Sequence, residues 1–400
     1  MSDSFTETTS KSWFKRLGEA LSGIVFGIIL VLVAIVLLFW NEGRSVGTAR
    51  ALNEGAGLVV TIDPAADLSA HAGALVHFSG DLTPVGTATD AQFPFMTAPA
   101  GSTALIRSVE MLQWRETSKS ETRTKLGGGE ETVTTYSYDK VWSETQINSA
   151  NFKQPQGHAN PQMPFSSETF AVASGTVGRI ALSGDAFSSY GAESPIVADA
   201  SQMAQLRSAA GFNRMIQREG DKLVLRPTGG SDVGTLRIGF ASRDLDTLSA
   251  VGKLDGARLT SFTASNGRSI FLLREGQASA AEMFADAISG NAVLTWILRV
   301  VGFVVMMVGL RMIFSVIGVA GDVVPFFGSM LRYATGFAAF AIAALVSSLV
   351  IGIAWLWYRP LLAIAIFAAG LAIAFVVMRL GRKKAANAPA AGAPPTLGRA

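Results

Sequence analysis

Residues 20–40 form an apolar run of 21 residues without a charge, and this run constrains the fold more than any other feature of the sequence. As an α-helix it would reach about 32 Å, enough to cross a hydrocarbon core of about 30 Å. Lys15 and Arg16 precede it, as basic residues precede the apolar part of a signal peptide. The run is too long for a signal peptide, however, and no small-residue cleavage site follows it. It therefore predicts a membrane anchor.

Three further apolar segments lie near the end of the sequence, and they predict three more spans. They cover residues 291–313, 333–358 and 360–378. Only Arg359 separates the last two, so we expect these helices to form a tight antiparallel hairpin. The whole chain carries 16% charged residues, against about a quarter in soluble proteins. The deficit is concentrated in these apolar segments.

The basic residues that flank the spans predict the orientation, because cytoplasmic flanks are enriched in Lys and Arg. Residues 1–19 and 379–400 both carry such residues, and the second of these tails is also rich in Ala and Pro. Four spans would place the two tails on the same side of the membrane. We therefore expect both termini in the cytoplasm and residues 41–290 in the periplasm or a lumen.

Residues 314–332 separate the second and third predicted spans and are too short and broken to form a span. Gly318, Gly321 and Pro325 interrupt the segment, and Asp322 lies in apolar surroundings. Two interpretations stay open. The segment is either an interfacial loop at the cytoplasmic face, with Asp322 as a helix N-cap, or a re-entrant hairpin. In a re-entrant hairpin, an intramembrane aspartate would be a functional candidate.

Residues 41–290 have the ordinary polarity of a soluble domain and contain many short β-like segments. A hairpin is predicted between residues 103–116 and 132–144, across three consecutive glycines at 127–129. Ser279 and Glu282 form a capping-box pattern that begins a helix leading into the second span. The sequence thus predicts an α+β membrane protein. It has four transmembrane helices, one before and three after a large β-rich extracytoplasmic domain.

Composition and motifs exclude several classes of function. The net charge of +3 comes without a long basic run, so nucleic-acid binding has no support. There is no cysteine, which removes disulfides and thiolate chemistry. His71, His77 and His158 have no evident partners for a zinc site, and no nucleotide-binding or hydrolase motif occurs. We expect no cofactor, no metal and no catalytic residue.

Four aromatic residues around the predicted hairpin allow two interpretations: Trp114, Tyr136, Tyr138 and Trp142. They could form a binding face for a peptide, a sugar or a lipid headgroup. Aromatic residues on neighbouring strands more often pack against each other within a sheet. We favour packing.

Several short motifs occur in register over most of the chain: WFKRL at 13–17, FWNEGR at 39–44, VEM at 109–111, YSY at 136–138, GH at 157–158 and YRPL at 358–361. In these motifs and their order the sequence resembles the transmembrane protein 43 family, also called LUMA. The resemblance implies four spans and a large lumenal domain. Eukaryotic members reside in the endoplasmic reticulum and inner nuclear membrane. They are described as organisers of membrane protein complexes that self-associate and bind lamins and emerin, whereas a bacterial member would reside in the inner membrane without those partners. The family has no established catalytic residues.

We therefore expect a non-enzymatic membrane scaffold whose partners are membrane lipids and other membrane proteins or further copies of itself. The alternative is a membrane enzyme or transporter that acts on lipid with polar residues at the bilayer edges. The candidate functional residues are those in the family motifs, together with Arg311 near one membrane face: Asn41, Glu42, Gly43, Arg44, Glu110, Trp114, Tyr136, Tyr138, Trp142, His158, Arg311, Asp322, Pro325, Tyr358, Arg359 and Pro360.

Overall fold

A computed structural model describes residues 3–209, 214–227 and 232–361, and beyond these only residues 364, 365, 368 and 372. Within these residues the helices are α1 Trp13–Leu58, α2 Gly184–Phe187, α3 Ala200–Ala209, α4 Ala280–Gly321 and α5 Pro325–Tyr358. Of these, α1, α4 and α5 are long and apolar enough to cross a membrane. The predicted fourth span, 360–378, lies mostly outside the described residues.

The helix boundaries follow from local signals at each end. Ser12 caps α1 by accepting a hydrogen bond from the Lys15 amide at 3.3 Å. The predicted capping box at the start of α4 is confirmed, since Ser279 and Glu282 exchange side-chain-to-backbone hydrogen bonds. Pro325 stands at the first turn of α5, where its missing N–H is not needed.

Residues 314–332, predicted to be an interfacial loop or a re-entrant hairpin, are mostly helical, and whether they enter the membrane stays a prediction. α4 continues to Gly321, only residues 322–324 form a turn, and α5 begins at Pro325. Asp322 is the C-cap of α4, not the N-cap of α5. The glycines that suggested interruption instead allow close packing, because a Cβ at position 318 would lie 2.7 Å from Arg332 Cγ.

The three long helices pack through small residues. A Cβ added at Gly27 would lie 2.6 Å from the Gly309 carbonyl oxygen, so the backbones of α1 and α4 nearly touch there. Ala339 and Ala343 on α5 are fully buried in the same bundle, whereas Gly336 has open space at its Cβ position. Two of these three small residues of α5, Ala339 and Ala343, therefore make their contacts within one chain.

The domain between α1 and α4 is built from two large sheets. Its strands, with the N-terminal strand β1, are β1 Asp3–Lys11, β2 Val60–Thr61, β3 Leu75–Val85, β4 Ala104–Thr124, β5 Glu130–Ser143, β6 Glu168–Ala171, β7 Ser174–Val177, β8 Ile180–Ser183, β9 Ala192–Ile196, β10 Arg214–Glu219, β11 Lys222–Pro227, β12 Leu236–Asp244, β13 Thr247–Asp255, β14 Arg258–Thr260, β15 Phe262–Thr263, β16 Ser269–Ile270 and β17 Leu272–Glu275.

One sheet has the order β1-β5-β4-β12-β11-β10, with β6 paired to β4 and β9 paired to β12. The other has the order β17-β13-β14-β8-β7-β3-β2, and an extra pairing of β13 with β3 closes part of it into a ring. Alternating apolar residues fill the space between the two sheets, among them Phe78, Leu105, Met111, Ile238 and Ala250. This core holds the domain together without disulfides.

A smaller apolar cluster joins the domain to the bundle. Ala51 and Leu52 on α1 pack with Ile270, Met283 and Phe284. Because α1 and α4 both continue from the bundle into this cluster, the domain sits directly on the ends of two membrane helices. The part of α1 that continues beyond the apolar run, to Leu58, thus forms the base of the domain.

The β4–β5 hairpin extends far beyond the core of its sheet, as a polar projection. Strand β4 has 21 residues and would reach about 70 Å, close to the length of α1 at about 69 Å. Strand β1 pairs with β5 over nine residues, from Asp3 opposite Tyr138 to Lys11 opposite Glu130. We call β1, β5 and residues 112–124 of β4 the arm.

The prediction of residues 1–19 as a tail separate from the domain was wrong for residues 3–11. These residues form β1 and belong to the same sheet as the domain. The signal was absent because the strand is polar on both faces and its pairing is set by β5, more than a hundred residues away.

Candidate functional site: polar clusters at the two ends of the bundle

The first cluster lies where the bundle meets the domain and centres on Glu42. Its carboxylate accepts from Arg299 on α4 at both oxygens, at 2.7 Å from Nε and 2.9 Å from Nη2. Trp355 Nε1 on α5 donates to the same carboxylate at 2.9 Å. Glu42 is only 2% exposed. One side chain thus connects all three long helices through charge-assisted hydrogen bonds.

Arg44 and Asn41 extend this cluster along α1. Arg44 donates to Asn291 Oδ1 at 2.9 Å and to Thr295 Oγ1 at 3.0 Å, and makes longer contacts with Asn41 Oδ1. Asn41 Nδ2 donates to the Thr295 carbonyl at 3.1 Å. Asn291 Nδ2 donates in turn to the Ser45 carbonyl. The junction cluster comprises Asn41, Glu42, Arg44, Asn291, Thr295, Arg299 and Trp355.

The YRPL motif reaches the same region from α5. The Tyr358 ring lies against Gly43, where a Cβ would be 2.6 Å from the ring, so a larger residue at this position would displace the tyrosine. Arg50 Nη2 donates to the Tyr358 carbonyl at 2.8 Å, which satisfies a free carbonyl at the end of α5. Arg359 stands over the Trp355 ring, and Pro360 follows it. Two motifs more than 300 residues apart therefore meet.

The second cluster lies at the opposite end of the bundle and centres on Asp322. This carboxylate is fully buried and accepts from Arg16 Nη2 at 2.6 Å and from Arg332. Arg16 also contacts Glu130 at 2.9 Å. A Cβ at Gly328 would fall on the Asp322 carboxylate, so glycine is required there. The far-end cluster comprises Arg16, Glu130, Asp322 and Arg332.

The tip of the arm is attached to this far-end cluster. Arg16 Nη1 donates to the Gly128 carbonyl at 2.6 Å, and the Gly127 amide donates to the Val323 carbonyl at 3.2 Å. Trp13 packs on Gly128, which has a φ of +79°, and donates through Nε1 to the Val319 carbonyl. The hairpin that begins in the domain therefore ends on the first turns of α1 and the α4–α5 turn.

The aromatic residues of the arm are engaged in packing at its base. Tyr138 stacks on His158 with ring centroids 4.0 Å apart, and Trp114 meets the same ring edge-on at 4.8 Å. Tyr138 donates to Glu116 at 2.7 Å, and burial together with that carboxylate raises the pKa of Tyr138 to about 12. His158 lies 3.0 Å from Asp3 of β1. These contacts favour packing over an open binding face.

The remaining predicted residues are spread apart. Tyr136 stacks on Phe5, Trp142 lies under Arg237, and Glu110 pairs with Lys222. Arg311 is exposed and forms no ion pair within the described part of the chain. The predicted residues are thus not brought together into one site.

Several residues of the two clusters were not among the predicted ones. In the junction cluster, Asn291, Thr295 and Arg299 recur at every fourth position and so occupy one face of α4. Polar residues at that spacing beside and within an apolar segment could have indicated this cluster from the sequence. The role of Glu130 in the far-end cluster could not be predicted from the sequence, because only the folded arm brings Glu130 to Arg16.

The chemistry of both clusters is that of attachment. The two buried carboxylates, Glu42 and Asp322, are each held by an arginine and a second donor. Within the residues that the structure describes, no three His, Cys, Asp or Glu side chains are grouped as metal ligands. In the part of the chain that the structure describes, neither cluster offers an unpaired carboxylate.

Comparison with known sequences gives a consistent result. The family model for transmembrane protein 43 matches residues 111–360. The human protein of that name is 30% identical over 381 residues, covering 92% of this chain and 92% of its own length. The mouse protein is 29% identical over 371 residues, with 89% of each covered. A Drosophila melanogaster homologue is 25% identical over 365 residues, covering 86% of this chain and 91% of its own. No solved structure matches the chain.

Proposed function

The chain belongs to the transmembrane protein 43 family, and from this premise we propose that it is a non-enzymatic membrane scaffold. It joins a β-rich domain rigidly to a helix bundle and presents the outer faces of both to other membrane proteins. We further propose that it self-associates and also contacts membrane lipids.

The pairing of the buried charges carries this proposal. Breaking a buried ion pair costs about 3–5 kcal/mol, so Glu42 and Asp322 are better suited to holding helices together than to proton transfer. An enzyme or transporter acting on lipid would need one of these carboxylates free for its substrate. The geometry therefore supports the scaffold more than this alternative.

The exposed faces of the helices add support. Large apolar side chains face outward along α5, including Phe337 at 75% exposed and Leu345. Lipid tails or a second protein would cover such a surface in a membrane. The domain side also offers strand edges, since β1 ends its sheet.

We propose that the chain has the orientation in the membrane that its basic flanking residues predict. The domain would lie outside the cytoplasm, with both termini inside and, in a bacterium, in the inner membrane. The arm bears on this directly, because β1 lies before the first span and pairs with a strand of the domain. This orientation and the β1–β5 pairing are compatible only if the arm passes the level of the bilayer and other protein covers it there, because a polar edge strand is not stable against lipid.

Photo-crosslinking in native membranes tests the scaffold. A benzoylphenylalanine at position 337 should capture a second protein or a second copy of the chain. The same residue at position 303 is the matched control, because Phe303 packs on Phe340 inside the bundle and should give only intrachain links. Gentle extraction and mass photometry should then find a defined oligomer or complex. A bare monomer, with no capture at position 337, would exclude a scaffold.

A further inference from the structure

The junction between bundle and domain carries arginines that have no acidic partner. Arg44 donates only to the neutral side chains of Asn41, Asn291 and Thr295. Arg50 donates only to a backbone carbonyl. The Arg268 guanidinium forms no ion pair within the described residues. Within the described residues none of these three guanidinium groups is hydrogen-bonded to a carboxylate, although Glu42 lies near enough to Arg44 to attract it.

Two of these arginines, Arg44 and Arg268, are close neighbours. Gly47 lies on α1 between Arg44 and Arg50, which are about 9 Å apart along the helix axis and about 120° apart around it, so Arg50 flanks the pair. The Arg268 side chain lies directly on Gly47, where a Cβ would be 2.5 Å from its Nε. Arg268 is also close enough to Arg44 for the two charges to repel each other.

The position of Arg268 is built into the fold. Gly47 leaves the space in which the guanidinium lies on the helix. Asn266, two residues before Arg268, donates from Nδ2 to the Gly47 carbonyl at 2.8 Å and fixes the turn between β15 and β16. Like charges held together in this way are stabilised by an anion between them.

The acidic groups nearby do not supply that anion. Glu42 is fully engaged by Arg299 and Trp355. Glu54 is four residues beyond Arg50 on α1 and is therefore its neighbour on the helix surface, but its carboxylate accepts from the amide and hydroxyl of Ser265. The region thus keeps an excess of positive charge.

The depth of this region identifies the anion. Exposed tryptophans lie close to this region: Trp40 is four residues before Arg44 on α1, and Trp357 precedes Tyr358, whose carbonyl Arg50 contacts. Tryptophan is enriched at the headgroup level of a membrane, so the arginines lie where lipid phosphates lie. We propose that Arg44 and Arg268, flanked by Arg50, bind the phosphate of an anionic phospholipid in the leaflet facing the domain. This rests on the membrane placement of the bundle and deepens the proposed contact with lipids.

Native mass spectrometry of the full chain in mild detergent tests the site. Phosphatidylglycerol, phosphatidylcholine or inorganic phosphate is added at equal concentration. We expect one phosphatidylglycerol to be retained in preference to phosphatidylcholine, and Arg268→Gln to weaken its binding about tenfold, equivalent to about 1.4 kcal/mol. Arg274→Gln is the control, since Arg274 pairs with Asp286 elsewhere.

A second variant separates loss of the site from loss of the fold. Gly47→Ala should also weaken lipid binding, because the added methyl group displaces Arg268. It should not unfold the protein, because alanine stabilises a helix by up to about 1 kcal/mol relative to glycine. Gly57→Ala, with open space at its Cβ, should bind as the parent chain does. Unchanged binding in both Arg268→Gln and Gly47→Ala would overturn the proposal, as would equal retention of the two lipids. Tight binding of inorganic phosphate alone would overturn the lipid assignment. None of these results depends on whether crosslinking finds a partner.

Discussion

Glu42 and Arg299 form a two-point ion pair between α1 and α4, with N–O distances of 2.7 and 2.9 Å, and Trp355 of α5 completes it from the third helix. The Glu42 carboxylate is almost fully buried, so solvent screens the pair little. Three helices that are distant in sequence are therefore tied together at one side chain, at the level where the domain begins.

Replacing Glu42 by glutamine should destabilise the bundle, because Arg299 would remain charged without its partner. The expected loss is about 3–5 kcal/mol, measured as a lower thermal unfolding midpoint in mild detergent. Glu54→Gln is the matched control on the same helix, since Glu54 is only partly buried and accepts hydrogen bonds only from Ser265. Similar midpoints for the two variants would show that the Glu42 pair does not hold the helices.

Asp322 should hold the arm tip to the far end of the bundle. In Asp322→Asn the contacts with Arg16 and Arg332 weaken, and Arg16 in turn loosens from Gly128. Deuterium exchange of the tip at residues 125–131 should become roughly tenfold faster, corresponding to about 1.4 kcal/mol. Exchange of the tip should be unchanged in Asp286→Asn, which removes an exposed carboxylate of the domain. Equal exchange in both variants would argue that the tip is held by other contacts.

The arm can be tested directly because the chain has no cysteine of its own. Thr6 and Thr135 are partners in the β1–β5 register, with hydroxyl oxygens 3.4 Å apart. The pair Thr6→Cys and Thr135→Cys should therefore be joined by a short bifunctional thiol crosslinker in native membranes.

The control pair is Thr6→Cys with Thr124→Cys. Thr124 lies near the arm tip, opposite Glu130 and several residues from the level of Thr6. It should not be joined by the same short reagent. If Thr6 and Thr135 fail to crosslink while each is reactive from opposite sides of the membrane, the β1–β5 pairing does not form in the membrane.

Much of the fold could be predicted from local signals. The apolar runs indicated α1, α4 and α5, and the three glycines indicated a turn that lies between β4 and β5. Gly127 and Gly128 adopt φ values of +87° and +79°, which explains why the turn could be read from residue type alone.

The arm and the continuous α4 could not be predicted, for related reasons. β1 has no apolar alternation, and only its distant partner strand gives it structure. Gly318 and Gly321 indicated an interruption of the helix, yet at both positions an α5 side chain, Arg332 or Leu331, lies close against α4. The candidate site shares this limit: NEGR and YRPL were recognisable motifs, but their contact with each other depends on the assembled bundle.

His77 should make the domain sensitive to acid. It is buried on β3, 2.8 Å from the Ala278 carbonyl, and burial lowers the pKa of His77 although that carbonyl opposes the shift. Below about pH 6.5 the unfolded chain binds a proton that the folded domain does not, so the free energy of unfolding falls as pH falls. The slope from this one group should approach about 1.4 kcal/mol per pH unit until the pKa of His77 in the folded domain is reached.

The variant His77→Gln tests this, because glutamine keeps a side chain that can donate to the Ala278 carbonyl but does not titrate. Chemical unfolding from pH 8 to pH 5 should therefore give a shallower decline for His77→Gln than for the parent chain. Parallel declines would mean that other groups, such as the paired carboxylates, set the acid sensitivity.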